Sequence, residues 1–277
     1  MSIEADPNVD PAGLSACEAL ARSREFASIR YFSTIDSTNS QALSDLVGDR
    51  LPTEPKLYVA DSQTAGRGRH GRHWISDPGT LTFSLVVPNA ASQPTNRHRE
   101  STVPVSIAVG AAIARTIEHL AAPYSARLKW PNDVYLNDRK VAGILVEIGP
   151  RRNDGIVIGV GLNVATRFSQ TEASIESSAI SICELTQRYP HRYQWLGECV
   201  EQIFDALDQS LQSPHEIIEE HRRRCVLRGH PIRYSVADRW LLGECEGIDD
   251  DGSLIVRTDQ VVCRLTSGEV QRVRGLK

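Results

Sequence analysis

Two apolar segments most constrain the fold of this 277-residue chain. Thr80–Val87 alternates apolar and polar residues and then becomes apolar, as a strand does where it enters a core. Gly155–Val164 is apolar along its length, with glycines at which a backbone or a ligand can pass closely. Its composition fits either an edge strand that pairs with a second copy of the chain or a central strand. Both segments predict a β-sheet at the centre of the fold.

Further strands and helices surround these two segments. Shorter apolar runs predict strands over 28–33, 57–60, 126–130 and 141–148. Apolar residues at helical spacing predict helices that follow Asp36 as an N-cap and that cover 103–120, 193–211 and 213–224. The chain therefore predicts an α/β (α+β) fold with a mixed central β-sheet flanked by helices.

The pattern changes after Gly229, where only short strands follow: 232–236, 240–245, 254–257 and 261–265. Asp251-Gly252 is typical of a hairpin turn between two of these strands. We therefore expect three parts: an N-terminal extension of little periodicity (1–27), a main domain (28–228) and a small all-β, barrel-like module (229–277).

Composition excludes several classes of protein. The net charge of −4 and pI near 6.1 argue against a general nucleic-acid binder, whose domain usually has a pI above about 9. No apolar run approaches the roughly 18 residues of a membrane span, and the acidic start of the chain is not a secretory signal. The six cysteines are scattered, without a C-x-x-C pair, which argues against a disulfide framework or a zinc site. This pattern favours a protein of the reducing cytosol.

One loop, Gln63–Trp74, alternates three glycines with three arginines. Glycine lets a backbone approach a ligand, and arginine offers a planar fork of donors that matches phosphate and carboxylate oxygens. The loop predicts a cradle for a phosphorylated anion, with Trp74 available to stack on a base. Gly/Arg tracts are also found in disordered or nucleic-acid-binding segments. Because this one is short, unrepeated and set in an acidic chain, it favours a small anionic ligand.

A second unusual cluster is Arg127–Asp133, which contains K-W-P-N-D. Its Lys129 ends an apolar strand and precedes Trp-Pro, so the side chain is held in a semi-buried place. In one interpretation the apolar part of the side chain is buried and its ammonium group lies in water. In the other, the ammonium group faces the same anion as the arginines.

Five motifs in this order carry a resemblance to a known family: D-S-T-N (36–39), the glycine–arginine loop, K-W-P-N-D (129–133), K-V-A-G-I-L-V-E (140–147) and G-V-G-L-N-V (159–164). Together they resemble the biotin protein ligases, also called biotin–[acetyl-CoA-carboxylase] ligases. The resemblance runs from about residue 30 through 165, and the β-rich tail is similar to the family's small, SH3-like C-terminal domain.

The resemblance implies a two-step reaction with ATP and biotin as substrates and Mg²⁺ as the metal ion. Biotinyl-5′-AMP forms first, and a lysine of a biotin carboxyl carrier domain then takes the biotinyl group. Bifunctional members carry a winged-helix domain ahead of the ligase region, whereas here the match begins near residue 30. We therefore expect a monofunctional, cytoplasmic ligase that binds neither DNA nor a membrane, with a homodimer possible.

The resemblance also implies site residues. The implied catalytic residues are Lys129, Arg67 and Arg69. The implied biotin contacts are Ser37, Thr38, Asn39, Gln63, Arg67, Gly68, Arg69 and Lys129. The implied contacts to ATP and the adenylate are Arg69, Arg72, Trp74 and Asn132, and Asp133 is a candidate metal ligand. Structural roles compete at three places: helix capping by Asp36 or Ser37, core packing by Trp74, and turn formation by Asn132 and Asp133. Thr80 departs from the family, which often has asparagine there.

Two rival functions stay open. A lipoate–protein ligase shares the fold and the adenylate chemistry but lacks this arginine loop and K-W-P-N-D. A non-enzymatic biotin sensor or nucleic-acid binder keeps the pocket without turnover, and its expected marks are a basic DNA-reading module or the loss of Lys129 or Arg69. This sequence shows neither mark.

Overall fold

The computed structural model describes residues 2–48, 53–88, 102–151, 155–168, 177–236 and 239–273. The strands are β1 (Ser2–Ala5), β2 (Ser28–Phe32), β3 (Lys56–Ala60), β4 (Thr80–Val87), β5 (Arg127–Lys129), β6 (Asp133–Leu136), β7 (Arg139–Ile148), β8 (Ile156–Asn163), β9 (Pro231–Val236), β10 (Arg239–Ile248), β11 (Leu254–Arg257), β12 (Val262–Leu265) and β13 (Val270–Arg272). The α-helices are α1 (Pro11–Ser23), α2 (Thr38–Gly48), α3 (Val105–Leu120), α4 (Ile182–Thr186), α5 (Leu196–Gln212) and α6 (Pro214–Arg224). Short 3₁₀ helices cover Arg69–Gly71 and Arg192–Trp195.

The chain forms two compact units, 1–99 with 139–201 and 100–138 with 202–277. The first unit contains strands in the order β1-β2-β3-β4-β8-β7. The pairs β1–β2 and β2–β3 are parallel, and the other pairs are antiparallel, so the predicted mixed sheet is confirmed. Strand β8 pairs with β4 on one side and β7 on the other. It is therefore a central strand, and the reading of 155–164 as a pairing edge is wrong.

The first residues of the chain, predicted as an extension of little periodicity, are built into the first unit. Strand β1 pairs with β2, and helix α1 is capped by Asp10, whose carboxylate accepts from the Ala12 amide at 2.9 Å. The backbone amide of Asp10 donates to Asp61 at 3.0 Å, just past the end of β3. Alternation is too short over four residues to signal β1 from sequence.

Helix α2 covers one face of the first sheet. Its apolar residues Ala42 and Leu46 are buried against Tyr58 on β3, Val86 on β4 and Val157 on β8. The helix begins one residue later than a cap at Asp36 predicts, because the Ser37 hydroxyl accepts from the Ser40 amide. The apolar side chains of α2 begin only after its first turn. That first turn therefore places polar side chains on the same face of the sheet.

The second unit combines helices α3 and α6, the β5–β6 hairpin and an antiparallel sheet in the order β12-β11-β10-β9-β13. The sheet confirms the predicted all-β tail, with β13 as an additional strand. Helices α3 and α6 are joined by Arg115, which pairs with the buried Glu220 at 2.5 Å. The predicted domain bounds 28–228 and 229–277 stay a prediction. None of the helices in the described part of the chain is long and apolar enough to cross a membrane.

We predict that His221 on α6 makes the protein acid-sensitive. The ring is 2% exposed, and burial lowers its pKa from 6.5 to about 4. In the unfolded chain the ring takes up a proton as pH falls below 6.5, whereas in the fold it stays neutral, so stability present above pH 6.5 is lost on acidification. Urea unfolding at pH 7 and at pH 5 measures the effect. Between these pH values we expect the wild-type protein to lose about 2 kcal/mol more of its free energy of unfolding than a His221→Leu variant does. Equal losses in both proteins would refute this assignment.

Candidate active site

The glycine–arginine loop walls a cavity in the first unit. It leaves the sheet after β3 and folds back on itself through backbone hydrogen bonds from Gly68 to Arg72 (2.7 Å) and from Trp74 to Gly66 (2.8 Å). The cavity has a volume of about 310 Å³ and is lined by residues 65–73 together with Leu145 and Glu147 of β7. The predicted loop residues Arg67, Gly68, Arg69 and Arg72 all lie on this cavity.

A buried polar segment lies at the start of α2. Ser37, Thr38 and Asn39 are each less than 5% exposed, and Gln63 is 8% exposed. The amide oxygen of Gln63 accepts from the backbone amide of Thr38 at 2.8 Å and from its hydroxyl at 3.0 Å. Four predicted biotin contacts therefore lie together. Burial of so many polar groups in one place costs free energy unless they form hydrogen bonds with each other or with a ligand.

Asn39 connects this segment to the sheet. Its amide oxygen accepts from the Ser84 hydroxyl of β4 at 2.5 Å, and its amide nitrogen donates to Glu147 at 2.9 Å. A Cβ atom at Gly159 would lie 2.2 Å from the Asn39 oxygen, which explains the glycine at that point of β8. Glu147 in turn accepts from Arg67 of the loop.

Trp74 packs flat on the sheet over two paired glycines. A Cβ atom at Gly161 would lie 2.2 Å from Cε2 of the indole, and one at Gly143 would lie 3.0 Å from Cζ3. The Lys140 ammonium lies 5.4 Å from the ring centroid, within range of a cation–π contact. The indole Nε1 is buried and has no hydrogen-bond partner among the described residues. Such an orphan donor fits a site whose partner is a ligand atom.

Sequence reasoning assigned no role to Ser84, Lys140 or Glu147, all of which lie in this site. The missed signal is strand periodicity. Gly143, Leu145 and Glu147 alternate along β7 and therefore share a face, and Leu145 pairs with Gly159 of β8. Ser84 of β4 pairs with the same Gly159. The departure at Thr80 also finds a role, since its buried hydroxyl lies 2.9 Å from that of Thr166.

We predict that Gly161→Ala destabilises the fold by about 1–3 kcal/mol, because the added methyl group overlaps the Trp74 ring and forces it off the sheet. Urea unfolding measures the effect. Gly197→Ala is the matched control, since a Cβ atom there meets nothing within 4 Å and alanine favours the helix. The prediction fails if the two variants are equally stable.

The second cluster of predicted site residues lies in the second unit. Lys129 ends β5, pairs in register with Asp133 across the hairpin, and holds its ammonium 5.7 Å from the Tyr135 ring centroid. Trp130 is buried, and its indole donates to the Gly252 carbonyl at 2.9 Å. Asn132 lies in the tight connection between the two strands. That Lys129, Asn132 and the arginines of the loop bind one and the same anion stays a prediction.

Asp133 is the predicted metal ligand. Within the described ranges, no group of three or more His, Cys, Asp or Glu side chains surrounds a common metal position. A lone carboxylate nevertheless suits Mg²⁺, which is usually held by one or two carboxylates together with water and substrate phosphates.

This chain is similar to proteins of a known family and fold. Residues 31–163 match the biotin/lipoate A/B protein ligase family. The chain is 29% identical to the bifunctional ligase/repressor BirA of Escherichia coli K12 over 94% of this chain and 79% of that protein. It is 28% identical to the biotin–[acetyl-CoA-carboxylase] ligase of Mycobacterium tuberculosis over 79% of each protein.

A solved structure shares the fold. The biotin protein ligase of Aquifex aeolicus, in complex with biotin and ATP, superposes with a TM-score of 0.74 and 24% identity, covering 90% of this chain and all of that one. The matched residues 31–163 contain the glycine–arginine loop, the buried polar segment and the paired glycines beneath Trp74. Residues 31–163 therefore form a domain that matches the biotin/lipoate A/B protein ligase family, and the chain is similar along most of its length to a biotin–[acetyl-CoA-carboxylase] ligase.

Proposed function

We propose that this chain is an ATP-dependent biotin–[acetyl-CoA-carboxylase] ligase, which activates biotin as biotinyl-5′-AMP and transfers it to a lysine of a biotin carboxyl carrier domain. One observation carries the proposal. An arginine-rich loop walls a cavity of about 310 Å³, and the Glu147 carboxylate on its wall bonds directly to Asn39 of the buried polar segment. A ligand with a polar ring at one end and an anion at the other fits this combination.

The polar ring belongs with the buried segment. Hydroxyl and amide groups of Ser37, Thr38, Asn39 and Gln63 offer both donors and acceptors, as the ureido ring of biotin requires. Thr38 is already bonded to Gln63, and Asn39 to Ser84 and Glu147, so little side-chain entropy is lost when the ring binds. We assign these four residues to biotin.

The anionic end belongs with the cations of the loop. Arg67 and Arg69 are assigned to the biotin carboxylate and the α-phosphate, with Arg72 as a further phosphate contact, because guanidinium groups bind such oxygens through charge-assisted hydrogen bonds. The backbone of Gly68 allows the ligand to approach closely. Lys140, which lies over Trp74, supplies a further cation at the same sheet face. Trp74 offers its ring and its unpartnered N–H to the adenylate.

Both chemical steps move negative charge past these groups. In the first, a biotin carboxylate oxygen forms a bond to the α-phosphorus while the bond to pyrophosphate breaks. In the second, the amine of the carrier lysine attacks the acyl carbon, loses a proton, and AMP leaves with the electron pair. Fixed cations stabilise charge that develops at the phosphate in both steps. Lys129 is assigned the same role as a point charge that stays protonated.

Asn132 and Asp133 complete the proposal on the nucleotide side. Mg²⁺, when bound with ATP, neutralises charge on the phosphates, and Asp133 is its proposed protein ligand. The proposed partner is a carrier domain of a biotin-dependent carboxylase in the cytoplasm. The proposal includes no role in DNA or membrane binding, since the chain is acidic overall. A homodimer, if it forms, uses an edge other than β8.

The test is exchange of labelled pyrophosphate into ATP, with biotin or lipoate as the acid. We expect exchange with biotin and none above background with lipoate, followed by transfer of biotin to a purified carrier domain. Exchange with lipoate alone would assign the chain to the rival ligase class. Tight biotin binding without exchange would make it a sensor.

A further inference from the structure

Glu147 joins two parts of the candidate site. Its carboxylate accepts from both terminal nitrogens of Arg67, at 2.7 Å and 3.2 Å, and from the Asn39 amide at 2.9 Å. The Glu147 side chain is 22% exposed and that of Arg67 is 42% exposed. The pair therefore lies on the wall of the cavity and is only partly open to solvent.

The bonds continue inward from Glu147. Asn39 is held on its other side by Ser84, and the Ser84 hydroxyl also lies 2.7 Å from the Thr38 hydroxyl. Thr38 is fixed by Gln63. Glu147 is thus the point at which this row of buried polar groups meets the exposed arginine loop.

The loop needs such an anchor for a physical reason. Its glycines restrict the backbone little, and a free arginine side chain carries up to about 2 kcal/mol of rotamer entropy. A bidentate carboxylate contact fixes both the position and the plane of the guanidinium group. Because the same carboxylate also holds Asn39, the arginine and the amide keep a constant separation before any ligand arrives.

We propose that Glu147 is a positioning residue of the proposed ligase reaction, which sets the Arg67 guanidinium and the Asn39 amide in the spacing that biotin's carboxylate and ureido ring require. This role rests on the proposed function. Glu147 itself touches no reacting atom. Its loss should therefore act mainly on biotin binding, because the Asn39 amide and the Arg67 guanidinium that it holds already meet the ureido ring and the carboxylate in the ground state.

The experiment uses the full-length protein and a Glu147→Gln variant. Glutamine keeps the oxygen that accepts from the Asn39 amide and, at 3.2 Å, from one Arg67 nitrogen. It replaces the oxygen of the 2.7 Å contact with an NH₂ group and removes the charge, so the bidentate ion pair with Arg67 is lost while the bond to Asn39 is kept. In biotin-dependent pyrophosphate exchange we expect the KM for biotin to rise about tenfold and kcat to change less than about threefold. Calorimetric titration with biotin should show the same loss of affinity.

Two further variants separate positioning from other roles. Glu201→Gln removes a comparable, part-exposed arginine pair, Arg24–Glu201, in the same unit, and should leave the KM unchanged. In an Arg67→Gln background, Glu147→Gln should raise the KM less than about twofold further, because the two residues act as one unit. Circular dichroism confirms that each variant folds, and Glu147→Asp, which keeps the charge, replaces the glutamine variant if that one does not.

Each outcome has a definite meaning. A higher KM that depends on Arg67 supports the role. An unchanged or lower KM overturns it, since Glu147 then does nothing or competes with the ligand for Arg67. A fall in kcat at constant KM also overturns it. If the wild-type protein shows no exchange with biotin, the proposed function fails and this role with it, whereas normal exchange with an unchanged KM refutes the role alone.

Discussion

Replacing Lys129 with alanine is expected to reduce biotin-dependent pyrophosphate exchange by on the order of 10²-fold or more, the usual cost of losing one fixed group that stabilises transition-state charge. The lysine ends β5 beside Trp130, which is buried and bonded to Gly252, so its backbone is firmly held. In the proposed mechanism this ammonium lies against the α-phosphate, and Asp133, its partner across the hairpin, carries the opposite charge and cannot replace it.

The control for this prediction is Lys56→Ala. Lys56 begins β3, at the end of that strand opposite the glycine–arginine loop, and its loss should leave exchange within about twofold of wild type. Lys129→Arg keeps the charge and should recover part of the rate, although its fork cannot reproduce a point charge. Full activity of Lys129→Ala would remove this residue from the proposed mechanism.

The second large effect is on stability. Asp61→Ala is expected to lower the free energy of unfolding by about 3–5 kcal/mol, because it strips the partner from a buried arginine. Arg192 is 6% exposed and bonds to the Asp61 carboxylate at 2.7 Å. The same carboxylate accepts from the hydroxyls of Tyr31, at 2.7 Å, and Tyr193. Burial raises the pKa of both tyrosines, which therefore remain neutral donors.

Urea unfolding measures this effect, with Glu201→Ala as the comparison. The Arg24–Glu201 pair is 33% and 39% exposed, and its loss should cost no more than about 1 kcal/mol. Equal losses in the two variants would mean that the Asp61 cluster contributes no more than an ordinary surface pair.

Much of the fold could be predicted because apolar periodicity reports burial directly. Strand β4 has the predicted bounds, and helix α6 ends at Arg224 as expected. The short strands β1, β6 and β13 have three or four residues each, too few for a period to appear. Their pairing is set by neighbouring strands, which a local pattern does not contain.

The site divides in the same way. Loop residues such as Arg67 are visible in sequence because glycine and arginine are unusual together. Ser84 and Glu147 are ordinary residues inside strands, and they matter because of what lies across the sheet from them. From sequence alone, for example, Gly159 is a residue that weakens a strand. The structure shows that it leaves room for the Asn39 side chain, which lies against it.

The position of β1 has a practical consequence for anyone who handles this protein. Its strand starts at the second residue and covers the outer side of β2, and the amide of Asp10 helps to satisfy Asp61. Trimming the first ten residues as if they were a disposable tail would uncover a parallel strand, and such bare edges recruit other chains into aggregates. A bulky affinity tag fused directly to the N-terminus would crowd the same strand, so a flexible spacer should separate the two.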